Sequence, residues 1–146
     1  MTESILNRMA QLWNRLFASK ELLPYERLVL DAWRASISGD SRQVLDAQLD
    51  AAQLVQHQAA GAKVCFYYRE GQAMPLFRAT EPDLHAATVL LRSPDGLETL
   101  RAKIFLHKGC FFSIEFPKRP ERYMQQHHMQ AQALQVAGVE THVTLV

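Results

Sequence analysis

The densest run of groups able to do acid–base or metal chemistry is Glu81-Pro82-Asp83-Leu84-His85, three titratable side chains within one short stretch. Two carboxylates and an imidazole at that spacing can hold a divalent cation or position a water for hydrolysis. Completing such a site requires Glu115 and His107 to be carried in from a neighbouring strand. Acidic-Pro-acidic segments are also ordinary solvated turns. The remaining histidines are poorly placed for metal. His127 and His128 are adjacent and so diverge by about 100° on a helix. His57 has no His or acid three or four residues onward, and His142 has none beside it in the last strand. No catalytic group is assigned, and a metal-dependent hydrolase or nuclease built on Glu81, Asp83 and His85 stays an alternative.

No glycine-rich phosphate loop, Gly-x-Ser-x-Gly elbow or Cys-x-x-Cys occurs, so neither a cofactor nor a zinc site is expected. Cys65 and Cys110 lie in separate apolar segments and read as two reduced core thiols, which points to a cytoplasmic protein. A Cys110 facing the core would have a raised pKa rather than an activated thiolate.

The feature that rises above background is basic and aromatic. From Thr99 to Tyr123 the cations are Arg101, Lys103, Lys108, Lys118, Arg119 and Arg122, opposed by Glu115 and Glu121. Six cations against two acids leave +4 in a chain whose total is +1. Phe105, Phe111 and His107 are interleaved with them. Arginine with aromatic residues is the composition of protein-interface hot spots. Arg101, Lys103, Phe105, Phe111, Lys118, Arg119 and Arg122 are therefore the candidate partner-binding residues. The same mixture can track a nucleic-acid backbone and stack bases, but a net charge of +1 argues against a dedicated nucleic-acid binder. If helices cover both faces of the sheet, Phe105 and Phe111 are simply core.

These residues need a scaffold, and 146 residues with 48% apolar and 21% charged side chains fit one globular α+β domain over 1–146. Residues 1–61 read as helical and 62–146 as a sheet part with one helix. A first helix carries Ile5, Leu6, Met9, Leu12, Trp13, Leu16 and Phe17 as a core-facing stripe; its polar face is not lysine-rich, so no membrane role is expected. A second starts at Pro24 with Glu26 in its first turn. A third starts at Asp40, with Gln43 completing a capping box, and runs to Gly61; its glutamines, Gln48 included, read as a neutral solvated face, with a contact face as the alternative.

Strands are expected over 63–70, 74–80, 85–92, 97–107 and 110–116. Pro94-Asp95-Gly96 and His107-Lys108-Gly109 read as three-residue hairpin loops. They place Leu90 opposite Leu100, Thr88 opposite Ala102, His85 opposite Phe105, Phe105 opposite Phe111, Lys103 opposite Ser113 and Arg101 opposite Glu115. A fourth helix from Pro120 to Gly138 leads to a last strand that a right-handed crossover would return parallel to the sheet.

The expected function is a non-enzymatic protein-binding module, in one concrete form an inhibitor or immunity-type protein that blocks a toxin or enzyme. A small-ligand carrier with a pocket between helices and sheet is the other alternative.

Overall fold

The computed structural model describes residues 22–96 and 98–145, so the amphipathic stripe of 5–17 lies outside the described residues. The fold is α+β. Two helices, α1 (Pro24–Ser36) and α2 (Gly39–Ala51), precede the described strands, and a short α3 (Pro120–Gln126) lies near the C-terminus. The strands are β1 (Leu54–Gln58), β2 (Lys63–Tyr67), β3 (Asp83–Arg92), β4 (Thr99–His107), β5 (Cys110–Glu115) and β6 (Gln135–Thr141). They form one open sheet in the order β1-β2-β5-β4-β3-β6, antiparallel throughout. Among the described residues no helix is long and apolar enough to cross a membrane.

The start of α1 follows from its residues. Pro24 occupies the first turn, where its missing N–H is no loss, and the Glu26 carboxylate accepts the Leu23 N–H at 2.8 Å. Ser38, not Asp40, caps α2, its hydroxyl accepting from the Ser41 N–H. α2 stops at Ala51 rather than Gly61, because Leu54–Gln58 pairs with β2 from Leu54↔Tyr67 to Gln58↔Lys63. His57 thus sits on a strand, with Nε2 2.8 Å from the fully buried Glu26 carboxylate. The expected strand over 74–80 is absent; that segment is held instead by the Phe77 N–H on the Gly109 carbonyl and by the buried Phe77 ring.

Both hairpins depart from the expected register. Gly96 does take a positive φ of 69°, but β3 and β4 pair as Leu91↔Leu100 and Val89↔Ala102, one residue away from Leu90 and Thr88. That shift turns Val89 and Leu91 inward, where both are fully buried, and an irregularity at Ala86 restores His85↔Phe105. Between β4 and β5 the turn is two residues, Lys108 and Gly109, at φ 50° and 79°. Two positive φ values make the mirror-image turn whose twist matches a hairpin. Phe112 is then an extra residue in β5, so Leu106↔Phe111 gives way to Phe105↔Ser113 and Lys103↔Glu115. The bulge corrects the parity that a two-residue loop alone would spoil. Gly109 has no substitute, since a Cβ there would stand 2.6 Å from the Phe77 carbonyl oxygen.

The C-terminal part is corrected as well. α3 ends at Gln126, with His128 just beyond it at a positive φ of 49°, and Gly138 lies within β6 opposite Leu90. β6 runs antiparallel to β3, not parallel by a crossover.

The core lies between the sheet and α1 and α2. Trp33 packs 5.5 Å from Phe111, Phe111 packs 4.5 Å from Phe66, and Tyr25 meets Phe116 edge-on at 5.6 Å. Leu100, Ala102, Ile104 and Leu106 complete the inward face of β4.

Candidate functional site

Alternation along β4 sends Arg101, Lys103, Phe105 and His107 to the face opposite α1 and α2. Register adds Thr88 and Leu90 from β3, Glu115 and Ser113 from β5, and Lys63, Cys65 and Tyr67 from β2. Phe112, displaced by its bulge, joins them: it meets Tyr67 edge-on at 6.0 Å, with the Lys63 ammonium 5.9 Å from its centroid. The rings of Phe105, Phe112 and Tyr67 are all partly exposed. Arg101 reaches Glu140 on β6 at 3.3 Å and Lys63 reaches Glu115 at 3.7 Å. The ammonium of Lys103, at the centre of the face, makes no hydrogen bond or close ion pair among the described residues. The result is an amphiphilic face with aromatic rings set between cations.

A histidine pair borders Lys103. His85 stacks on Phe105 with centroids 4.9 Å apart and rings 24° from parallel, and its ring lies 4.4 Å from that of His142. The fully buried Thr88 hydroxyl bridges them, 3.0 Å from His85 Nε2 and 2.8 Å from His142 Nε2. A hydroxyl in that position can donate to one imidazole while accepting from the other. Burial first, then His142 and Lys103, hold the His85 pKa below its ordinary value of 6.5. The folded state therefore disfavours a proton that the unfolded chain accepts, and stability should fall as pH drops below about 6.5. Urea midpoints of wild type and His85→Gln at pH 7.5 and 5.0 test this. The wild-type drop should exceed that of the variant, and equal drops would remove His85 as the cause.

The acidic loop does not assemble as a hydrolytic site. Asp83 lies opposite His107, with Oδ1 2.6 Å from Nδ1, but both side chains are exposed. His85 turns to Thr88 instead, and Glu115 is taken up by Lys63 and by the Ser113 hydroxyl. Among the described residues no group of three or more His, Cys, Asp or Glu side chains is placed to hold a metal ion. Both cysteines are free, and burial pushes the Cys65 and Cys110 thiols up.

The seven candidate partner-binding residues divide three ways. Arg101, Lys103 and Phe105 share the outward face. Phe111 points to the helices and is fully buried. Lys118, Arg119 and Arg122 stand on the connector and α3, where Lys118 binds Glu98 at 2.9 Å and lies 5.8 Å from the Tyr123 ring.

No family model, curated protein or solved structure matches this chain.

The site is thus defined by its own geometry. Tyr67, Phe112 and Lys63 belong to the face without having been singled out, as do Thr88 and His142. The alternation of Lys63, Cys65 and Tyr67 was legible; the Phe112 bulge and the joining of His85 to His142 across β3 and β6 were not.

Proposed function

We propose that this chain is a non-enzymatic protein-binding module whose recognition surface is the sheet face centred on Arg101, Lys103 and Phe105. The observation that carries the reading is Lys103, a central cation with no close ion pair among the described residues, beside an aromatic ring that His85 holds in place. Fixed rings between cations supply contact area at low entropic cost and are the composition of interface hot spots. The partner is a protein presenting carboxylates to Arg101 and Lys103 and an apolar side chain to Phe105. An inhibitor or immunity-type protein acting in the cytoplasm is the concrete form.

The hydrolase alternative is not favoured, since Asp83, His85 and Glu115 each have a different partner. A cavity between helices and sheet, lined by Leu30, Leu49, Val55 and Phe66 among others, measures about 190 Å³. That is below the roughly 300 Å³ at which small-molecule sites begin, which weakens the carrier reading.

The test begins with affinity capture by the tagged chain, followed by calorimetric titration of the purified partner against wild type and Arg101→Glu/Phe105→Ala. Truncating a hot spot costs about 2 kcal/mol or more, so the double variant should lose about 100-fold in affinity or more. A folded double variant with wild-type affinity, or no protein captured at all, overturns the proposal.

A further inference from the structure

We infer that the groove between α3 and the β1–β2 turn is a second recognition site, built for an acidic peptide segment and separate from the sheet face. The groove has a volume of about 840 Å³ and is lined by Lys118, Arg119, Arg122, Gln125 and Gln126, with Ala60 on its opposite wall. Arg119 and Arg122 stand three residues apart across the start of α3, which places them as neighbours on one side. Both are exposed, and neither guanidinium makes a hydrogen bond or ion pair among the described residues. Lys118 is different, since its ammonium is held by Glu98. Glu121 is the one acid in the lining among the described residues.

The walls are fixed before any ligand arrives. Pro117 and Pro120 stiffen the connector on either side of Lys118 and Arg119. The Phe116 N–H donates to the Ala62 carbonyl at 2.7 Å and so ties that connector to the turn. In the turn, Ala59, Ala60 and Gly61 all take positive φ, at 52°, 53° and 85°. Two alanines held there are unusual and need surrounding structure to keep them. Beneath the turn the buried Tyr25 hydroxyl has no hydrogen-bond partner among the described residues, and an added Cβ at Gly61 would lie 3.7 Å from it.

Two unpaired guanidinium forks match carboxylates in pairs, and the Gln125 and Gln126 amides can bond a peptide backbone at the same time. A groove this large and open exceeds what a single small anion fills. A polynucleotide is disfavoured by a net charge of +1 and by Glu121 within the lining. This site does not rest on the sheet-face reading, because neither Arg101, Lys103 nor Phe105 lines it.

Fluorescein-labelled octaglutamate, followed by anisotropy against the full chain, tests the inference. Binding should weaken at least tenfold in Arg119→Glu/Arg122→Glu and fall with added salt. It should hold in Arg27→Glu/Arg78→Glu, which makes the same charge change at two exposed arginines elsewhere. If the first variant fails to fold, Arg119→Gln/Arg122→Gln replaces it, with the same tenfold loss expected. Equal weakening in both pairs means unspecific attraction and overturns the inference. So does absence of binding by the wild type, complete displacement by equimolar inorganic phosphate, or tighter binding of a single-stranded oligonucleotide of the same charge.

Discussion

Gln48→Leu is expected to lower the free energy of unfolding by about 2 kcal/mol, although it replaces a glutamine with a better helix former of similar volume. Gln48 is fully buried, and its amide joins three chain segments. Nε2 donates to the Pro75 carbonyl at 2.9 Å and to the Gly109 carbonyl at 3.0 Å, while Oε1 accepts from the Phe111 N–H at 2.8 Å. Gly109 would keep the Phe77 N–H after the substitution and the Pro75 carbonyl, on an exposed residue, can turn to water, but the buried Phe111 N–H would lose its partner beneath α2. Each buried polar group left unpaired costs about 1–3 kcal/mol. Urea unfolding measures the difference, with Gln56→Leu at an exposed position of β1 as the comparison, expected within about 0.5 kcal/mol of wild type. A loss below 1 kcal/mol for Gln48→Leu would mean that α2 does not hold the β4–β5 turn through this amide.

Gln48 also marks the limit of what could be read from residue order. A glutamine among four others in a helical segment looks like solvated surface; its role depends on a turn more than sixty residues later. Where apolar alternation and local chemistry agreed, the reading held: Pro24 and Glu26 start a helix, and the β3, β4 and β5 segments are strands. It failed where pairing partners decided the structure. Leu54–Gln58 continues the apolar spacing of α2 well enough to pass as helix, and only its hairpin with Lys63–Tyr67 makes it a strand. The turn of that hairpin places Ala59 and Ala60 at positive φ, a conformation that alanine does not announce. In the same way Gln135–Thr141 becomes a strand because β3 has a free edge to receive it.

The candidate face was legible in outline and displaced in detail. Arg101, Lys103 and Phe105 follow from alternation on β4 alone, and they do share a face. Phe111 could be assigned only by knowing the loop length and the bulge together. A three-residue loop puts it beside Phe105, whereas the two-residue turn at Lys108-Gly109 puts it under Trp33. The bulge then lets Phe112 take the outward position.

Phe111→Ala and Phe105→Ala should therefore differ sharply in stability. Phe111 is fully buried between Trp33 at 5.5 Å and Phe66 at 4.5 Å, under the helices that close the core. Removing such a ring leaves a cavity that packed neighbours fill only in part, at a cost of about 3–5 kcal/mol. Phe105 is partly exposed on the other face, and its main packing partner is the stacked His85 ring. Losing that stacked contact costs about 1 kcal/mol. Urea midpoints of the two single variants decide the matter. If they coincide, the inward and outward assignments along β4 and β5 are wrong, and Phe111 returns to the candidate surface. If they separate as expected, a binding defect in Phe105→Ala reports on contact with a partner, whereas the same defect in Phe111→Ala would report on a weakened core.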